Sequence, residues 1–205
     1  MSGAQEPKRV RTAAALLIGN ELLSGKICDE NLPTLARALR ARGVSLERAA
    51  VVRDDIDVIA REVRALAGSH DWVFTSGGVG PTHDDVTIEA VARAFGVGVE
   101  SSPRMEALIR GHYKDKCTDE HLLMARAPIG AKLVATERVP WPTVVMKNVW
   151  VLPGVPWIFT MKLGALEAEI EAETPFVTAS ARTRLEEPAL KALLDRVVAS
   201  FPAVE

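Results

Sequence analysis

Aromatic side chains and cysteine are scarce in this chain. Its 205 residues include one tyrosine, four tryptophans, five phenylalanines and two cysteines. Cys28 and Cys117 are too few and too casually spaced for a disulfide framework, which agrees with a reducing compartment. Also missing is any apolar run near the ~20 residues of a membrane-spanning helix. The charged start, PKRVR at residues 7 to 11, has neither the apolar segment nor the small-residue cleavage site of a secretory signal, so a cytoplasmic protein is expected. Charge of one sign is lacking as well: 25 basic residues face 27 acidic ones, a net charge of −2, which offers no electrostatic footprint for nucleic acid or an anionic membrane surface. What is present is a soluble globular composition, 48% apolar, enough for the core of one ordinary domain with a small appendage.

From residue 12 short, nearly continuous apolar runs alternate with stretches of helical periodicity, the pattern of βαβ units around a parallel sheet. The runs TAAALLI (12 to 18), VSLERAAVV (44 to 52) and DWVFT (71 to 75) read as strands. Helices are expected at about 31 to 41, after Asp55, and from Val86 to Phe95, with Gly43 and Gly96 as stop signals. Further on come helices near 103 to 114 and 119 to 125, a hairpin-like pair TVVM (143 to 146) and VWVL (149 to 152), and a helix from Val155 to Glu173. A strand at 176 to 185 and an amphipathic helix carrying Leu190, Leu193, Leu194, Val197 and Val198 complete the reading. The expected organisation is a tail at 1–11, a main domain at 12–173, and a partial β-α extension at 174–205.

In a parallel sheet the loops that leave all strands emerge at one edge, where ligands of open α/β folds bind. Reading by strand ends gathers GNELLSG (19 to 25), RDD (53 to 55), SGGVGPTHDD (76 to 85) and PGVP (153 to 156) at one rim. Gly19, Glu21, Ser24, Asp54, Asp55, Gly77, Gly78, Gly80, Thr82, Asp84, Asp85 and Gly154 fall there. Glycines let backbone N–H groups approach an anion closely, and a following helix N-terminus adds partial positive charge, which suits a phosphate. Pro81 and Thr82 stiffen the loop. Asp84 and Asp85 also read as the N-cap and first turn of the next helix. Several carboxylates beside a phosphate repel it unless a hard divalent cation, Mg²⁺ above all, lies between them, so a metal-assisted site for a phosphorylated or pyrophosphate-containing small molecule is expected. GNELLSGK has the wrong spacing for a P-loop, with Ile27 where the magnesium-binding hydroxyl belongs, and GGVGP follows the third strand and is not a dinucleotide fingerprint.

The segments IGNELLSGKICDEN (18 to 31), VVRDD (51 to 55), TSGGVGPTHDDVTIEAVARAFG (75 to 96) and NVWVLPGVP (148 to 156) together resemble the molybdopterin-binding, or MoCF-type, family. That family includes molybdenum cofactor biosynthesis proteins, the N-terminal domain of competence/damage-inducible protein A, and the N-terminal domain of animal-type FAD synthases. THDDVT followed by EAVARAFG, with the later NVWVLPGVP, is most similar to the FAD synthase branch, and VPWPTVVMKN (139 to 148) differs from the competence-type loop. The resemblance implies a three-layer α/β/α fold with a mostly parallel sheet, a homo-oligomer of two or three copies, and a pterin or nucleotide pyrophosphate ligand. It also implies catalytic roles for Asp54 and Asp85 and ligand contacts from Gly77, Gly78, Gly80, Thr82, Pro153 and Gly154. The strand-end reading adds Glu21 as a catalytic candidate, Asp54, Asp84 and Asp85 as metal ligands, and Gly19, Ser24, Pro81 and Thr87 as further ligand contacts. Asn20 stands where the family usually has Asp; a carboxamide brings no negative charge to that position.

Two enzyme chemistries follow from those roles, nucleotide pyrophosphate cleavage and adenylyl transfer to a pterin phosphate. A non-catalytic pterin- or nucleotide-binding module is the alternative, and a scaffold assembled through the tryptophan-rich segment a third. His112, Cys117 and His121 have zinc-capable side chains, and Trp141, Trp150 and Trp157 cluster along the sequence, where a core or subunit interface outweighs a stacking platform.

Overall fold

The computed structural model describes residues 10–170, 175–180 and 182–201. The expected tail therefore lies outside the described residues except at its end. β1 (Arg11–Ile18) leads through a single helical turn, α1 (Asn20–Leu23), to α2 (Asn31–Arg40), β2 (Val44–Val52), α3 (Ile56–Ala67), β3 (Trp72–Ser76) and α4 (Thr87–Phe95). After β4 (Val99–Ser101) come α5 (Pro103–Tyr113), a 3₁₀ turn at Lys114–Lys116, α6 (Asp119–Leu123) and β5 (Arg126–Pro128). The chain continues with β6 (Lys132–Val134), β7 (Thr143–Met146), β8 (Val149–Leu152), α7 (Pro156–Leu163), α8 (Leu166–Glu169) and α9 (Glu187–Ser200).

A six-stranded sheet has the order β2-β1-β3-β8-β7-β6. β2, β1, β3 and β8 are parallel, whereas β7 runs antiparallel to both neighbours because the turn at Lys147 and Asn148 closes a hairpin with β8. Alternation along the central strands sets the layers. Ala14, Leu16, Ile18, Val73, Val149 and Val151 face α3, α4 and α5, while Ala13, Ala15, Leu17, Phe74, Trp150 and Leu152 face α2 and α7. Strands buried on both faces need apolar residues at every position, which is why their sequences read as continuous runs. The result is a three-layer α/β/α fold with a largely parallel sheet.

Several expectations change. The helix from Val155 to Glu173 stops at Leu163; Gly164 caps it, and α8 is a separate short piece. No strand forms at the described residues of 176 to 185: Phe176 instead lies under the Arg40 guanidinium, 5.0 Å from ring to carbon, at the end of α2. α9 forms, but none of its residues is buried. β4 and β5 make a small antiparallel pair beside the main sheet, absent from the sequence reading because each is three residues long.

The tryptophans separate. Trp150 is core, Trp141 packs against the α3–α5 layer, and Trp157 is 69% exposed. His112, Cys117 and His121 do not converge on a cation: the His121 ring stacks against Tyr113 and its Nδ1 accepts the Thr118 amide at 3.1 Å, closing a capping box on α6. On the opposite layer Lys162 is buried, donating from Nζ to the carbonyls of Trp141 (3.3 Å) and Pro142 (2.5 Å). Burial pulls its pKa down to about 8.

Candidate functional site

Parallel register brings the strand ends level: Ile18 pairs with Val52, Leu17 with Ser76, and Ser76 with Leu152. Above them opens a cleft of about 410 Å³, within the range of small-molecule sites. Of the residues expected at the site, Glu21, Asp54, Gly77, Gly78, Thr82, Asp84, Asp85 and Gly154 line it. Gly19, Ser24, Gly80, Pro81, Thr87 and Pro153 are not among its lining residues. Ser24 ends α1 and turns its hydroxyl to the Glu21 carbonyl at 3.2 Å. Thr87 and Pro153 are buried beneath the rim.

The glycine loop is held from below. The Gly77 N–H donates to the Leu152 carbonyl (3.1 Å), the Thr87 hydroxyl to the Gly77 carbonyl (2.8 Å), and the Thr87 N–H to the Gly78 carbonyl (3.0 Å). Gly77 has φ +112° and Gly78 φ +65°, and a Cβ on Gly77 would stand 2.2 Å from the Ile18 carbonyl oxygen. Side chains are therefore excluded at both positions by conformation and by space. The next amides, of Gly78, Val79 and Gly80, find no acceptor among the described residues.

Asp84 and Asp85 were expected to cap α4, but its N-cap is Val86. Both carboxylates instead close on Thr82, whose hydroxyl lies 2.6 Å from Asp84 Oδ1 and 2.5 Å from Asp85 Oδ2, while its N–H donates to Asp85 at 2.8 Å. The Thr82 hydroxyl bond holds the Asp84 carboxyl below the ordinary carboxylate range. Asp54 accepts the Asn20 N–H at 2.8 Å and so fixes the start of α1. Its neighbour Asp55 caps α3, and the Val58 N–H, foremost among its partners, keeps that carboxyl low as well.

Ser76, Val155 and Pro156, within the strand-end segments though not singled out there, also line the cleft, and residues that the strand-end reading missed complete it: Asp29, Glu30 and Asn31, with Ile27 and Cys28 on the loop after α1. Asp29, just before the N-cap Glu30, accepts the Asn31 and Leu32 N–H groups of the first turn of α2 at 3.3 and 2.8 Å. Asn31 is 4% exposed and donates from Nδ2 to Ser76 Oγ (2.9 Å) and to the Gly154 carbonyl (2.8 Å), tying α2 to the ends of β3 and β8. The available signal was the polar side chain within the apolar stripe that opens α2. Glu21, Asp29, Glu30, Asp54, Asp84 and Asp85 surround the cleft with carboxylates, and among the described residues no Lys, Arg or His lines it.

Hard oxygen donors of this kind suit Mg²⁺ in chemistry, but not as placed. Asp84 and Asp85 close on a hydroxyl, Asp54 is committed to an amide, and among the described residues no three acidic, His or Cys side chains are grouped to hold a metal ion.

Residues 14–169 match the family described as the probable molybdopterin binding domain, and the chain belongs to that family. It is 34% identical over 172 residues to a probable FAD synthase of Caenorhabditis elegans, covering 73% of this chain and 33% of that protein. It is also 34% identical over 157 residues to a CinA-like protein of Frankia casuarinae, covering 71% of this chain and 36% of that protein. The chain thus spans about a third of the length of either relative, and equal identity to both does not single out the FAD synthase branch.

Among solved structures, the protein CinA of unknown function from Thermoplasma acidophilum superposes with a TM-score of 0.71 at 30% identity, covering 78% of this chain and 98% of that one. The tungsten cofactor synthesizing protein MoaB from Pyrococcus furiosus shares the fold, with a TM-score of 0.53 at 19% identity, covering 80% and 94%. No helix among the described residues is long and apolar enough to cross a membrane.

Proposed function

We propose that the chain is a binding module for a pterin or nucleotide phosphate, taken up at the ends of the parallel strands with the phosphate on the loop of residues 77–80. The observation that carries this reading is the run of amides at Gly78, Val79 and Gly80, which find no acceptor among the described residues; Gly78 and Val79 line the cleft and Gly80 follows them. Consecutive backbone donors on a glycine loop bind an anion without a charged side chain. Membership of the molybdopterin-binding family supports the pterin or nucleotide class of ligand. Calorimetry with ADP, GDP and a pterin phosphate, with and without Mg²⁺, tests it; binding by none of them contradicts it.

The carboxylates around the cleft favour a second reading, Mg²⁺-assisted cleavage or transfer at a phosphoanhydride. Among the described residues no three acidic, His or Cys side chains are grouped to hold a metal ion, so no step is assigned to a metal or to these carboxylates. Release of AMP from FAD or ADP-ribose with Mg²⁺, abolished by EDTA and by Asp85→Ala, would establish this chemistry. Assembly as a homo-oligomer of two or three copies belongs to the same proposal, with Leu23 and Trp157 as exposed apolar residues on the faces available; light scattering measures it.

A further inference from the structure

Asn31 and Ser76 stand at the floor of the cleft with hydrogen-bonding capacity that the fold does not use. Both are more than nine-tenths buried. The Gly154 carbonyl can only accept, so it fixes the Asn31 carboxamide with its nitrogen toward Gly154 and Ser76. Both amide hydrogens are then committed, and Oδ1 takes no donor from the described residues. Among those residues, Thr143 Oγ1 is the one side-chain nitrogen or oxygen atom shut off from solvent without a partner. Asn31 Oδ1 therefore keeps access to the outside, and the open space that Asn31 lines is the cleft. Ser76 Oγ accepts from Asn31, so its own proton is left to donate, and Ser76 lines the same cleft. An acceptor and a donor thus sit side by side on a rigid floor.

Ser76 is also the residue directly before Gly77, so this pair lies next to the loop that would carry the phosphate. A second phosphate oxygen is a poor partner there, because an anionic oxygen facing Asn31 Oδ1 has no proton to give. A hydroxyl group both accepts from Ser76 and donates to Asn31. We propose that Asn31 and Ser76 determine specificity by holding a sugar hydroxyl next to the ligand's phosphate, so that the preferred ligand is a ribonucleotide. This inference rests on the phosphate-loop reading of the cleft and narrows it to one ligand class. A ligand that displaces water from such a pair without replacing its hydrogen bonds loses affinity.

The test compares ADP with 2′-deoxy-ADP, 3′-deoxy-ADP and 2′,3′-dideoxy-ADP by calorimetry on the wild-type chain, in Mg²⁺ and in EDTA. Leaving a buried acceptor unpaired is expected to weaken the dideoxy ligand by about ten-fold or more. One monodeoxy form should account for most of that loss. In Ser76→Ala and Asn31→Ala the difference between ADP and the dideoxy ligand should fall to about two-fold, because the partner of the hydroxyl is gone. Equal affinity of the wild type for ADP and the dideoxy form overturns this inference and leaves the phosphate-loop reading standing. A penalty that persists undiminished in folded forms of both variants overturns it too. Absence of binding by every nucleotide overturns the phosphate-loop reading, and this inference with it.

Discussion

The hydroxyl of Thr87 donates to the carbonyl oxygen of Gly77 at 2.8 Å, joining the first residue of α4 to the start of the glycine loop. Both residues are buried, so the bond fixes the loop before any ligand arrives. Thr87→Val keeps the shape and removes the donor, leaving a buried carbonyl unpaired at a cost of about 1–3 kcal/mol. Chemical denaturation should show that loss and calorimetry a weakened nucleotide affinity, whereas Thr87→Ser should retain most of both.

Glycine substitutions separate loop geometry from general sensitivity. Gly77→Ala puts a Cβ 2.2 Å from the Ile18 carbonyl oxygen at φ +112°, so it should destabilise the fold by about 1–3 kcal/mol or more. Gly111, inside α5, has nothing within 4 Å of the added Cβ and no positive φ. There, replacement by alanine should raise stability by up to about 1 kcal/mol, and thermal melts of the two variants should move in opposite directions.

Lys162 makes stability depend on pH at the alkaline end. Burial lowers its folded pKa to about 8 from an ordinary 10.5. Below pH 8 both states carry the proton, and the folded state bears the full penalty of burying the charge. Between about pH 8 and 10.5 the unfolded chain holds more protons than the folded one, so this group's contribution to stability rises with pH across that window. Denaturation midpoints for the wild type should carry that rise. Lys162→Met should lose it, at the cost of leaving the Trp141 and Pro142 carbonyls without their donor.

The layered fold was legible because strands buried on both faces leave continuous apolar runs. The run VSLERAAVV and the strand Val44–Val52 coincide, and the TVVM and VWVL pair is the β7–β8 hairpin. The placement of the rim also followed, since parallel strands put their exits at one edge. The bonding within that rim was less legible. Asp84 and Asp85 fit a helix start by residue type, yet the chain makes a turn through Thr82 first, and α4 begins at Thr87.

By periodicity Asn31 marks the start of a helix, and by motif it ends the segment at 18 to 31; neither shows its role, because its partners Ser76 and Gly154 lie 45 and 123 residues away, beyond the reach of local pattern. Thr87 belonged with the expected ligand contacts and supports the loop from beneath instead. The break at Gly164 was hidden because apolar and acidic residues continue past it in a pattern that still suits a helix.

The central claim is that the backbone of residues 78 to 80 receives a ligand phosphate, and the most direct measurement is a two-dimensional ¹⁵N–¹H titration of the assigned chain with ADP and Mg²⁺. The account predicts that the amides of Gly78, Val79 and Gly80 shift together, saturably, and more than amides on the far side of the sheet. Saturable binding that leaves these three amides unmoved, or no binding at all, would contradict it.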